Sequence, residues 1–428
     1  MTAHEHTRTR RPEYRSEQGA ILIQVAVASL VLIAFTAFVV DYGILWVSRN
    51  AAQNSADAGA LAGAVALGLD DFENRDDDGP AKLAALNFAL ANDIFGEDPD
   101  VDVETDIYFY PDDPAKFPAE CVDDTCIRVD VFRNQDRGNP LPIWFGLLVG
   151  LTDQGVRATA IGRAATANAT DCLKPWAVVD RWQERAPVNP GTWTTASSFD
   201  KYIKTGPNKG TPDPAINPPD LYVAPTENSP GTGFHPFNAD HSYTDDYGMQ
   251  LVLKAGDNND FQFGSGWFKA LSFGGPGGAV YEDNIKGCIG ITYKIGDELT
   301  VNSEPGEKVG PTKQGVMTDS DSLYNQDPTA VWDSTMNGGR GGVNGSAFAV
   351  SPRIVAVPLV NPDIIAEVNK GGRSTVPISN IMGFFIEGLT ADNKGVVGRI
   401  MTMPGLQSVG AAPIDPESAF LINISLIR

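Results

Sequence analysis

The sequence predicts an α+β protein. An N-terminal transmembrane helix continues into a small α+β module, followed by a β-rich domain. Three observations carry this. Residues 20–40 form an uncharged, mostly apolar run; residues 51–69 extend it in Ala- and Gly-rich sequence without proline; and from residue 171 onward short apolar runs alternate with Gly, Pro, Asn and Asp. The first is a membrane-helix signal, the second a helix signal, and the third marks short strands between turns.

The apolar run has the length of one crossing, since 21 residues at ~1.5 Å rise give roughly 31 Å. Arg8, Arg10, Arg11 and Arg15 precede it, and the first charge after it is Asp41. Basic flanks stay in the cytoplasm, so residues 1–19 are expected inside and residues 41–428 in the periplasm. A cleaved signal peptide has a shorter apolar core and a small-x-small site after it, whereas VVDYGILW follows here. The expectation is a retained single-pass signal anchor at residues 20–40.

The chain carries a formal charge of −22, and residues 1–19 hold four arginines against three glutamates, so the exported part is acidic. That argues against nucleic acid or an anionic lipid surface as a ligand, because both require a basic footprint. With 428 residues, 42% of them hydrophobic, two or three domains with real cores are expected. The 44 glycines and 30 prolines point to many turns.

All four cysteines, Cys121, Cys126, Cys172 and Cys288, lie beyond the anchor, in a compartment that permits disulfides. Three pairings are possible. Cys121 and Cys126 bracket only VDDT, which suits a small hairpin closure and leaves Cys172 with Cys288. A zinc site would need CxxC or nearby histidine, and neither is present.

After the anchor, residues 51–69 place small residues at every fourth position: Ala52, Ala56, Ala60 and Ala64, with Gly59 and Gly63 beside them. Such a stripe allows a close helix contact, either with the next helix at residues 81–92 or with a partner helix. The acidic stretch between them offers Asn74, Asp76, Asp78 and Gly79 like the start of a calcium loop. Its twelfth position is Ala85 instead of glutamate, so it reads as a solvated turn. VDVETDIYFY (101–110), TCIRVDVFR (125–133) and GVRATAIGRAATA (155–167) read as strands, and PLPIWFGLLVGL (140–151) as an amphipathic or core helix too short to span. The module is expected to end near residue 170. In the outer domain YGMQLVLKAG, DELTVNS, SPRIVAVPLV, NIMGFFIEGL, GVVGRIMTM and SAFLINISLIR are strand candidates, while 183–246 reads as an insertion or a run of loops.

No constellation reaches a catalytic assignment. His235 and His241 flank PFNAD without a third ligand, Phe263-Gly264-Ser265-Gly266 misplaces the second glycine of a GxSxG elbow, and Asp319-Ser320-Asp321-Ser322 lacks the spacing of a von Willebrand-type metal site. The Gly-rich runs at 274–278 and 338–342 lack the following Lys-Ser/Thr of a phosphate loop. SEPGEKVGPTKQG (303–315) reads as turn architecture on which a binding loop could be built. No catalytic residue, cofactor or metal is expected.

EQGAILIQVAVASLVLIAFTAFVVDYGILWVSRNAAQNSADAGALAGA resembles the N-terminus of the TadE/TadG-like Flp pilus-assembly proteins: a charged arm, an anchor, an Asp-x-Gly, then an Ala-rich QNxADAxALAGA helix. IRVDVF, PIWFGLLVG, VRATAIGRA and DCLKPWAV resemble that family's membrane-proximal module, and EPGEKVGPTKQG, DPTAVW, RIVAVPLV and GFFIEG the outer domain of its longer members. Pilin-like relatives are cut after a glycine with glutamate five residues on; here Gly19 is followed by Gln24. The resemblance implies a non-enzymatic scaffolding part in a tight-adherence pilus, with other pilus-assembly membrane proteins or pilin as partners. It gives an arm at 1–19, an anchor at 20–40, a module at 41–170 and an outer domain at 171–428. The alternative from a different class is a membrane-anchored surface hydrolase or glycan-binding protein.

Overall fold

The structure, a computed structural model, describes residues 18–427 except 71–73, 122–123, 186–191, 258, 276, 302–308 and 349. The orienting arginines of the arm, the first part of the loop 303–315 and a piece of the 183–246 stretch lie outside the described residues. The chain divides into two compact units: residues up to 56 with 89–101 and 130–159, and residues 57–88 with 102–129 and 160 onward.

Helix α1 (Gln18–Leu69) is one unbroken helix of 52 residues. No proline interrupts it, and at ~1.5 Å per residue it runs roughly 78 Å, well past a bilayer's hydrocarbon. It is long and apolar enough to cross a membrane. Residues 21–36 are exposed throughout, while from Ala52 onward one face is buried on every turn. α2 (Pro80–Leu90) starts on a proline, which needs no N–H partner there.

The main strands are β1 (Ile107–Phe109), β2 (Cys126–Arg133), β3 (Val156–Thr166), β4 (Trp176–Val179), β5 (Gln250–Ala255), β6 (Trp267–Ala270), β7 (Ile354–Val360), β8 (Asn380–Leu389), β9 (Gly395–Met401), β10 (Met403–Pro404) and β11 (Leu421–Ile427). Two sheets organise them. One is five-stranded in the order β1-β2-β3-β11-β10. Its β3–β11 pair is antiparallel, from Ile422 opposite Thr166 to Ile427 opposite Ile161, so the C-terminal strand returns to the early part of the chain.

The other sheet closes into a six-stranded barrel, β7-β8-β9-β5-β6-β4, sealed by parallel pairing of Leu359 and Val360 with Val178 and Val179. Successive residues of its strands enter separate clusters. Trp176, Val178, Val355 and Val357 join one core, and Ala177, Val179, Ala356 and Val360 another. Both faces are therefore covered, which is why IVAVPLV and NIMGFFIEGL read as continuous apolar runs. α3 (Gly278–Lys286) and α4 (Pro362–Asn369) belong to this body, α4 capped by the Asn361 side chain accepting from Asp363 N. The disulfides are Cys121–Cys126, in the β1–β2 connection, and Cys172–Cys288, which ties the approach to β4 to the end of α3.

Two expectations need correction. In 101–110 only Ile107–Phe109 is strand, because the Asp102 side chain accepts from Glu104 N and Thr105 N and holds a turn. Residues 140–151 form no long helix, only the 3₁₀ turn Gly146–Val149. Pro140 and Pro142 remove backbone donors at its start, and Gly150 ends it in the left-handed region. The 183–246 stretch is mostly loop, yet it delivers Phe199, Tyr202, Tyr222 and Phe234 to buried positions.

Candidate functional site

The small-residue stripe of α1 faces the chain's own interior. Ala52 and Ala56 are fully buried in the first unit, where Ser55 Oγ donates to Ala89 O on α2 at 2.9 Å. In the second unit Gly59, Ala60 and Gly63 are buried. A Cβ added at Gly63 would lie 2.7 Å from Ile127 Cδ1 and 3.0 Å from Ala85 Cβ, and one added at Gly162 of β3 only 2.1 Å from Ala60 O. The missing side chains let helix backbone approach helix and sheet, the packing that small residues permit.

The opposite side of the same turns lines an apolar groove of about 800 Å³. Leu61, Val65 and Phe88 form one wall, exposed by 37, 43 and 57%, and Phe348, Val350 and Met401 contribute to the other. Its serines are engaged elsewhere: Ser346 Oγ and Ser351 Oγ both donate to Asp327, at 2.7 and 2.6 Å. The described lining contains no histidine, so no serine there meets a histidine base. The groove offers apolar contact.

Lower on α1, Asp41 makes a clamp. Its carboxylate accepts from three consecutive backbone N–H groups, Trp144 and Phe145 at 3.0 Å each and Gly146 at 2.6 Å. Sequence reasoning missed this pairing across a hundred residues. The available signal was that Asp41 is the first charge after the apolar run, followed within two residues by Gly43.

Ionisable groups are buried around the barrel. Asp180, just after β4, accepts from Phe234 N and Arg181 N and from the Tyr222 hydroxyl. Burial pushes its carboxyl up to about 7 against those donors, and the same burial, with Asp180 alongside, raises Tyr222 well above a normal phenol. Gly233 makes this possible, since a Cβ there would lie 2.4 Å from Asp180 Oδ2. Nearby, Asp246 takes both of its close contacts from Arg181 Nη1, at 2.6 and 2.8 Å, and a third from His235 N. Lys174 Nζ donates to Gly287 O, and burial lowers it to about 7. Asp200 rises to about 6 through burial and then the neighbouring Asp220.

The two histidines beyond the apolar run are not brought together in one set. His235 lies beside Asp246, and His241 Nε2 is 3.3 Å from Asp124. Among the described residues no group of three or more His, Cys, Asp or Glu could hold a metal ion. Asp180 and Asp246 are met by donors from segments 42 to 65 positions away, an arrangement that fixes loops to one another.

Residues 19–66 match the family model described as "Putative Flp pilus-assembly TadE/G-like". No curated protein and no solved structure matches the chain. The TadE/G-like segment coincides with α1 almost end to end. It includes the exposed apolar run, Asp41, the whole small-residue stripe and the groove wall from Ala58 to Ala66.

Proposed function

We propose that this chain is a non-enzymatic, single-pass inner-membrane component of a Flp, or tight-adherence, pilus-assembly system. In this reading residues 1–19 are cytoplasmic, 20–40 span the membrane, and 41–428 form a periplasmic scaffold that holds other pilus-assembly membrane proteins or pilin. The supporting observation is the TadE/G-like match on a helix whose first half is an exposed apolar surface and whose last turns bury one face. The division into a module at 41–170 and an outer domain at 171–428 belongs to the proposal.

The test is genetic. Deleting the gene should abolish sheared surface pilin while leaving pilin synthesis intact, and undiminished surface pilin would refute the assignment. Leu61→Asp, on the exposed groove wall, then asks whether the groove takes part: loss of surface pilin with a folded, membrane-held protein assigns a partner contact there.

A further inference from the structure

We propose that the loop of residues 143–151 is a lipid-contacting element, seated in the outer interface of the membrane that α1 crosses. The inference rests on the membrane-spanning reading of α1. Its first support is position. Asp41 stands one residue beyond the apolar run, which places its carboxylate at the outer edge of the hydrocarbon when that run spans. The three backbone N–H groups that it binds, on Trp144, Phe145 and Gly146, share that depth. Gly146 keeps the turn tight, because a Cβ there would meet Ile143 Cγ2 at 2.8 Å and Leu151 Cβ at 3.2 Å.

The second support is what the loop turns outward. Trp144, Leu147 and Leu151 are exposed by 66, 62 and 57%. Tyr42 and Trp46 are exposed on the adjoining turns of α1. A cluster of aromatic and aliphatic side chains is costly in water and is the composition of a membrane interface, where indole and phenol rings concentrate. The same depth explains the clamp. A carboxylate beside hydrocarbon must find its hydrogen bonds within the protein, and three backbone donors supply them. The occupant is the acyl and glycerol region of the bilayer, held by apolar contact, so the acidity of the exported chain does not oppose it.

The full chain, with its native disulfides formed, is reconstituted in phosphatidylcholine vesicles after Leu147→Cys and labelling with a bimane. Phe35→Cys, in the middle of the run, is labelled in parallel. Quenching by nitroxide-bearing lipid at both positions is the expected result, unchanged when phosphatidylglycerol is added. Lipid quenching at Phe35 with only iodide quenching at Leu147 overturns the proposal and leaves the anchor standing. Loss of lipid quenching at both positions refutes the anchor and the proposal together. A label at Leu147 shielded from both quenchers means a protein covers the loop, which also overturns it. Asp41→Ala should lose the lipid quenching at 147 in the Leu147→Cys background and keep it at 35 in the Phe35→Cys background, and unchanged quenching at 147 would show that the clamp does not seat the loop.

Discussion

Gly162 of β3 lies so close to Ala60 of α1 that a single added carbon would stand 2.1 Å from the Ala60 carbonyl oxygen. The obstacle is backbone, which cannot rotate out of the way as a side chain can. Gly162→Ala should therefore destabilise by about 1–3 kcal/mol through overpacking. Thermal melting of the detergent-solubilised protein measures this, and an unchanged melting temperature would show that helix and sheet separate freely.

Gly63 meets side chains instead, Ile127 and Ala85. Gly63→Leu should again cost about 1–3 kcal/mol, since a branched side chain has no space between α1, α2 and β2. Protease sensitivity of the part beyond the apolar run should rise. A protein that resists protease as the parent does, yet fails in pilus assembly, would instead place that surface against a partner.

The two disulfides should differ in worth. Cys172 and Cys288 are 116 positions apart and Cys121 and Cys126 only 5. Restricting the unfolded chain gives about 5 kcal/mol for the long loop and about 2 kcal/mol for the short one. Paired alanine variants compared by urea denaturation check the order. Equal losses would mean that native-state packing, not loop entropy, sets both values.

Asp180 makes stability depend on pH. Its native value of about 7 lies above the ordinary 3.8, so the folded protein holds a proton that the unfolded chain has released between those values. Stability attributable to this group therefore falls as pH rises from about 4 to 7, by up to about 1.4 kcal/mol per pH unit, and levels off above. Asp180→Asn should remove that slope, so the variant gains on the parent as pH increases. A stability difference that stays flat from pH 4.5 to 8 would refute the assignment.

For topology, the arginine asymmetry predicts that protease added to spheroplasts removes a C-terminal epitope and spares an N-terminal one. Intact mass should retain the arm, apart from Met1. A mature N-terminus at Ala20 would mean pilin-like processing.

Long-period features were legible before any coordinates. α1 needed only an uninterrupted run without proline, and β8 needed only ten consecutive residues of strand-like character. The short strands β4 and β6 were not legible, because four residues carry no periodicity and gain stability only from barrel neighbours. Residues 140–151 have the hydrophobicity of a helix, but their prolines and glycines forbid a continuous one. The groove is illegible as well, since its walls combine α1 and α2 with Tyr247 and residues after 330.

The sequence by itself determined the long apolar run, the helical continuation and the small-residue stripe, because each depends on residues a few positions apart on one helix. Only the tertiary structure decided what the stripe faces, that the C-terminal strand returns to β3, and that Asp41 is held by residues 144–146. Those relations join positions from about twenty to more than two hundred and fifty apart, through hydrogen bonds and close packing. Backbone donors are the same in every non-proline residue, so no local pattern of side chains announces which of them a distant carboxylate will find.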